Sequence, residues 1–264
     1  KRRLKNLMDV TGITTDLEMQ SSQPATMTDL LRIHTKEYLE KFKALSEVDG
    51  GLLGLRTPFA RDGFEIAALS SGLAISAIKD VLKGKYKNSY SLSRPPGHHC
   101  LPNYPNGFCL LANIAIAIDS AISENLGKKF CVIDWDVHHG NGTEAIFYDR
   151  DDVLTISIHQ ERNYPVDTGM ETDKGKGEGL GYNVNLPLPA GSGHNTYLNL
   201  FDRVISPLVS NYRPDIIIVA CGFDAAMIDP TSSMLCSAET FRVLTRKAQA
   251  LADKNCGGKL SLIH

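Results

Sequence analysis

Lys129-Phe130-Cys131-Val132-Ile133-Asp134-Trp135-Asp136-Val137-His138-His139-Gly140-Asn141-Gly142 passes from an apolar run straight into a cluster of carboxylates and imidazoles. The apolar part is short and rich in β-branched and aromatic residues, which predicts a buried strand over 129–135. The polar groups then fall at its carboxyl edge, where open α/β sheets place ligands. Asp136 and His138 are two residues apart, so on an extended backbone they point to one side. A carboxylate oxygen and an imidazole nitrogen there make half of a metal site. A third ligand from elsewhere would leave one position open for water or substrate.

Working outward, strand-like and helix-like segments alternate, the pattern of a mostly parallel sheet covered on both faces. Strands are expected over 89–93, 129–135, 153–159, 182–186, 215–221 and 259–263, several of them as continuous apolar runs. Helices are expected over 28–45, 65–82, 110–124, 195–209 and 238–253. Within 65–82, Ile66, Leu69, Leu73, Ala77 and Val81 fall at helical spacing. Thr28, followed three residues later by Leu31, makes no capping box for the 28–45 helix. No period repeats and no Pro/Ser-rich linker interrupts the chain, so 1–264 reads as a single domain. The glycine-rich, charged segment 160–181 reads as a long functional loop near the strand ends. Its glycines are not a dinucleotide fingerprint, because no strand precedes them and no helix follows.

The chain has 264 residues, 42% apolar and 22% charged, with a formal net charge of −2. That balance gives no electrostatic reason to expect direct nucleic-acid or membrane binding. The six cysteines show no C-x-x-C spacing, and Cys131 and Cys221 lie inside apolar runs. Buried free thiols and a reducing compartment, cytoplasmic or else nuclear, are expected. No run of eighteen apolar residues occurs, and Lys1-Arg2-Arg3 is not followed by a signal-peptide core.

Two more strand ends carry chemistry. Cys221-Gly222-Phe223-Asp224 follows the apolar run 216–220 and puts Asp224 at a carboxyl edge. Arg94-Pro95-Pro96-Gly97-His98-His99 follows 89–93, and its prolines stiffen the loop that presents the histidine pair. A metal-dependent hydrolase needs a metal with an open position, a base for water and an acid for the leaving group. Asp136, His138 and Asp224 are candidates for the first requirement, and His98 and His99 for the others. Asp134 and Asn141 are candidates to fix the orientation and tautomer of the imidazoles. His34, His159, His194 and His264 read as ordinary satisfied polar residues.

Four motifs in order, Arg94-Pro95-Pro96-Gly97-His98-His99, Gly107-Phe108-Cys109, Asp134 through Gly142, and Gly222-Phe223-Asp224-Ala225, make the chain resemble the histone deacetylase family. Asn141, where many relatives carry Asp, looks more like class II and bacterial deacetylase-like amidohydrolases. The resemblance implies the arginase/deacetylase fold, a three-layer α/β/α domain with an eight-stranded, mostly parallel sheet. It implies zinc on Asp136, His138 and Asp224, and hydrolysis of the acetamide on an acetylated protein lysine or small amine. An Asp₂His set also accepts Fe²⁺ or Co²⁺. By the same match, Gly107, Phe108 and Tyr164 line the channel for the acyl-lysine stem. Tyr164 often aligns with Phe, which implies a more polar rim. A monovalent cation, K⁺, is implied at Asp134, Asp136, His138, Ser157 and Ile158, through backbone carbonyls for the most part. A second such site is implied around Phe147, Arg150, Val153 and Tyr182.

The histidine pair carries a further expectation. If His98 faces the carboxylate of Asp134, it is held as imidazolium; if His99 faces the neutral amide of Asn141, it is not. His99 is then the neutral base and His98 the charged helper. The resemblance also implies a catalytic tyrosine in a Gly-Gly-Tyr loop after 259–263. Here Gly257-Gly258 is followed by Lys259 and the sequence stops at His264, so a record incomplete at both ends is expected. Beside the deacetylase reading stand an acetylpolyamine amidohydrolase and a catalytically weak acyl-lysine binder lacking that tyrosine. An amidinohydrolase of the same fold is disfavoured, because such enzymes hold two metals with more aspartates.

Overall fold

The computed structural model describes residues 1–264. In chain order it contains α1 (Arg2–Val10), α2 (Met27–Leu30), α3 (Lys36–Glu47), β1 (Gly50–Leu52), β2 (Pro58–Ala60), α4 (Gly63–Leu82), β3 (Asn88–Ser91), α5 (Asn113–Ser123) and β4 (Phe130–Asp134). There follow α6 (Asn141–Phe147), β5 (Val153–Gln160), β6 (Asn183–Leu188), α7 (His194–Leu200), α8 (Ser206–Tyr212), β7 (Ile216–Ala220), α9 (Ala238–Cys256) and β8 (Leu260–Ile263). A π-helical turn, Phe201–Ile205, joins α7 to α8.

Six strands form one sheet in the order β3-β8-β7-β4-β5-β6, and every neighbouring pair is parallel. Every residue of β4 and β7 is buried, as expected for central strands covered on both faces. Alternation divides their side chains between two cores. Cys131, Ile133, Ile217 and Val219 pack under α7, α8 and α9 with Tyr197, Phe201, Val209 and Leu244. Phe130, Val132, Ile216 and Ile218 pack on the other face, with Ile78 of α4 and Ile114 and Ile118 of α5. All six cysteines are free and buried. No helix is long and apolar enough to cross a membrane.

The chain lays β4, β5 and β6 side by side in one direction, then returns to place β7 on the other flank of β4. The carboxyl ends of β4 and β7 therefore border a topological switch point, the crevice in which such sheets bind ligands.

Four expectations are corrected. The main sheet has six strands rather than eight; the two others, β1 and β2, pair only with each other, antiparallel. In α4 the expected stripe is buried only at its end: Ile66 and Leu69 are exposed and Leu73 and Ala77 half-buried, whereas Val81 is buried together with Ala67, Ala74 and Ile78. Small residues there let α4 lie close against α5, which outweighs side-chain size in choosing the inward face. The 28–45 helix is broken into α2 and α3. Its capping box is Thr26 with Asp29, and His34 leaves the helix to bond the Pro102 carbonyl and the Ala112 amide. Finally, β4 ends at Asp134, so Asp136 and His138 stand in a bend beyond the strand and not on extended backbone.

Candidate active site

The loop carrying the histidine pair is tied down from behind. The Pro95 carbonyl accepts from Ser70 Oγ of α4 at 2.8 Å and Asn113 Nδ2 of α5 at 3.0 Å. The His98 carbonyl accepts the Gly142 and Thr143 amides at the start of α6, at 2.9 and 3.1 Å. These bonds hold the pair over the crevice beside β4. Gly107 has a φ of +51°, and a Cβ there would stand 2.3 Å from the His99 ring, so only glycine lets this wall come so near.

His98 Nδ1 donates to Asp134 Oδ2 at 2.8 Å, and His99 Nδ1 donates to Asn141 Oδ1 at 2.8 Å. The two rings are 3.9 Å apart. Burial alone would lower His98, but Asp134 and Asp136 outweigh it and lift this imidazole to about 9. Burial and the charge of His98 push His99 well below the usual imidazole range. The two neighbours are thus held in different protonation states, one by two carboxylates and the other by burial beside a charged ring.

The bend after β4 and the turn after β7 bring three ligand-type side chains together. His138 Nδ1 lies 2.9 Å from Asp136 Oδ1 and 3.0 Å from Asp224 Oδ2. Backbone amides aim the carboxylates: Val137 N–H donates to Asp224 Oδ1 and His138 N–H to Asp136 Oδ1, both at 2.9 Å. A Cβ on Gly222 would stand 2.3 Å from Asp136 Oδ2, so glycine leaves room for that carboxylate. Burial and the charge of Asp136 raise Asp224 to about 6. Burial would lower His138, but hydrogen bonds to both aspartates lift it to about 10.

The trio fits a divalent cation. One imidazole nitrogen faces two carboxylates, and the three ligand atoms all lie within 4.8 Å of one another. A single ring proton can donate well to only one of those oxygens, whereas a cation at the centre answers all three ligand atoms. An N/O set of this kind suits zinc.

Gly107, Phe108 and Tyr164 line the same cavity of about 650 Å³ as His98, His99, Asp136, His138 and Asp224. The Tyr164 ring stands edge-on to His99 at 5.1 Å, and its hydroxyl donates to Asn106 Oδ1. Ser157 and Asp134 are cross-strand partners, beside a much smaller cavity of about 10 Å³. Arg150, expected at a second cation site, bonds Asp119 and Asp152 and lies over the Phe147 ring.

Sequence reasoning missed a buried network under the site. Glu144 Oε2 accepts from Asn183 and Asn185, each at 2.6 Å, and lies 3.3 Å from His139 Nε2. The available signal was the pair Asn183 and Asn185, two apart on β6 and so on one face. Arg56, which also lines the large cavity, gave no signal at all, because its approach is purely spatial.

Fold and site together define an α/β protein with a candidate metal centre at its sheet switch point. A family model described as the histone deacetylase domain matches residues 1–264. A histone deacetylase-like amidohydrolase of Pseudomonas aeruginosa is 48% identical over 264 residues, which are 100% of this chain and 70% of that protein. A probable deacetylase of Archaeoglobus fulgidus is 38% identical over 236 residues, 89% of this chain and 65% of its own length. The crystal structure of an HDA15 HD domain matches with a TM-score of 0.86 at 33% identity, covering 92% of this chain and 70% of the other. The chain belongs to the histone deacetylase family.

Proposed function

We propose that this protein is a zinc-dependent deacetylase that hydrolyses the acetamide of acetyl-lysine or a related acylated amine. The observation that carries this reading is the meeting of Asp136, His138 and Asp224 with the His98–His99 couple in one cavity. Asp136, His138 and Asp224 would hold the zinc, which would supply Lewis-acid polarisation of the acyl carbonyl and of the attacking water. His99 donates from Nδ1 to Asn141, which leaves Nε2 with a free lone pair. At neutral pH this nitrogen takes a proton from the attacking water and returns it to the departing amine. His98, charged through Asp134, stabilises negative charge developing on the acyl oxygen. Gly107, Phe108 and Tyr164 hold the amine's stem and exclude water from the reacting bond.

We further propose that backbone carbonyls around Asp134, Asp136, His138, Ser157 and Ile158 hold a potassium ion, supported by the pairing of Asp134 with Ser157. The test of the main proposal is turnover of a fluorogenic acetyl-lysine amide by the full-length protein, with metal analysis and a hydroxamate inhibitor. Hydroxamate-sensitive turnover that follows zinc content is expected. Zinc binding without turnover would favour an acyl-lysine binder instead.

A further inference from the structure

The mouth of the large cavity carries a cation with no partner of its own. Arg56 is exposed and lines the cavity, and its guanidinium carbon lies 5.5 Å from the centre of the Tyr164 ring. Contact with a ring face occupies none of the five N–H donors. No carboxylate forms an ion pair with it; Asp229, which lines the same cavity, is engaged by the Thr231 amide and hydroxyl at 2.9 and 2.5 Å.

The backbone under Arg56 is fixed. Its carbonyl accepts the Phe108 amide at 3.1 Å, and the Leu55 carbonyl accepts the Gly107 amide at 3.1 Å. Arg56 itself has a φ of 57°, the left-handed region that non-glycine residues seldom occupy. The segment is thus clamped to the wall that faces His99, and the arginine is held at the rim.

We propose that Arg56 is a specificity-determining residue that pairs with a carboxylate on the part of the substrate outside the cavity. This inference rests on the acyl-amine reading of the cavity. With the acyl end at the trio and the stem against Tyr164, what reaches Arg56 is the group bearing the amine. A planar guanidinium matches a carboxylate through two parallel hydrogen bonds. Two sources offer that chemistry: an acidic residue next to an acetylated lysine in a protein, or the α-carboxylate of a free acylated amino acid.

The test measures binding to the zinc-loaded full-length protein by fluorescence anisotropy or calorimetry. One probe pair is acetyl-lysine peptides flanked by Glu or by Lys. The second is Nα-blocked acetyl-lysine with a free α-carboxylate or an α-amide. Wild type should prefer the acidic member of at least one pair by about threefold to tenfold. The responding pair identifies the source. Arg56→Gln should flatten that ratio and Arg56→Glu should reverse it, with the kinetic difference falling in KM. A ratio unchanged by Arg56→Gln, or no acidic preference in either pair, overturns the proposal. Turnover measured in parallel tests the deacetylase reading separately. Charge preference without turnover would sink the reaction and keep the recognition; turnover without charge preference would do the reverse.

Discussion

Burial lowers His99 while Asp134 and Asp136 lift His98, so two adjacent imidazoles differ in charge, as the proposed roles of base and cation require. Burial and the charge of His98 keep His99 on the neutral side, and Asn141 accepts its Nδ1 proton without adding a negative charge to oppose them. Asn141→Asp should raise the His99 pKa. A base acts deprotonated, so the acid limb of the kcat/KM profile should move to higher pH. An unmoved limb would separate His99 from the base role. Gly222→Ala puts a methyl 2.3 Å from Asp136 Oδ2, so that carboxylate must move. The expected result is at least tenfold weaker zinc binding in a chelator competition, on the order of what outer-shell disruptions cost. At this scale the sequence displayed much of the site, since the ligand-type residues cluster in short motifs. Glu144 was hidden because its partners Asn183 and Asn185 lie about forty residues away on another strand.

The elements decide how those residues are presented. Strands β4, β5 and β7 were legible because burial on both faces demands unbroken apolar runs. Helix α6 was not, because it begins at Asn141 inside a run of turn-forming residues and spans only seven residues. The break between α2 and α3 was likewise hidden, since it rests on His34 reaching two distant backbone groups. Glu144 links α6 to β6, and His139, next to it, also bonds Thr168 in the long loop. Glu144→Ala would strand buried amide donors and should cost about 3 kcal/mol in urea unfolding. Burial alone would raise the Glu144 carboxyl, but His139, Asn185 and Asn183 hold it below its ordinary 4.5. Its contribution to stability is therefore present above that pH and lost as pH falls through the lower folded value. Glu144→Gln should flatten that acid-side loss, and an unchanged slope would argue against the network.

Across the whole molecule, the reversal of strand order between β4 and β7 opens the crevice that both segments with candidate metal ligands border. The alternation of strands and helices made that α/β class readable from the sequence. It did not give the strand count, because the short pairing of β1 with β2 lies apart from the main sheet and carries no strong apolar pattern. The rim, with Arg56 beside Tyr164, was beyond reach for the same kind of reason: it is assembled from loops that meet only in space. Ile218, fully buried in the middle of β7, packs in the core with Ile78, Ile114 and Ile118. Ile218→Ala should lower stability by about 2–5 kcal/mol, read as a shift of the urea midpoint.

The proposed activity depends most on two aspartates and one imidazole acting as a single cation cage. Its most direct test is the zinc content of the full-length protein after loading and gel filtration, with Asp136→Ala and Asp224→Ala measured alongside. About one zinc per chain is predicted for the wild type, and near-complete loss in both variants while their circular dichroism stays native. A wild type that retains no metal under any loading, or folded variants that keep a full equivalent, would contradict it.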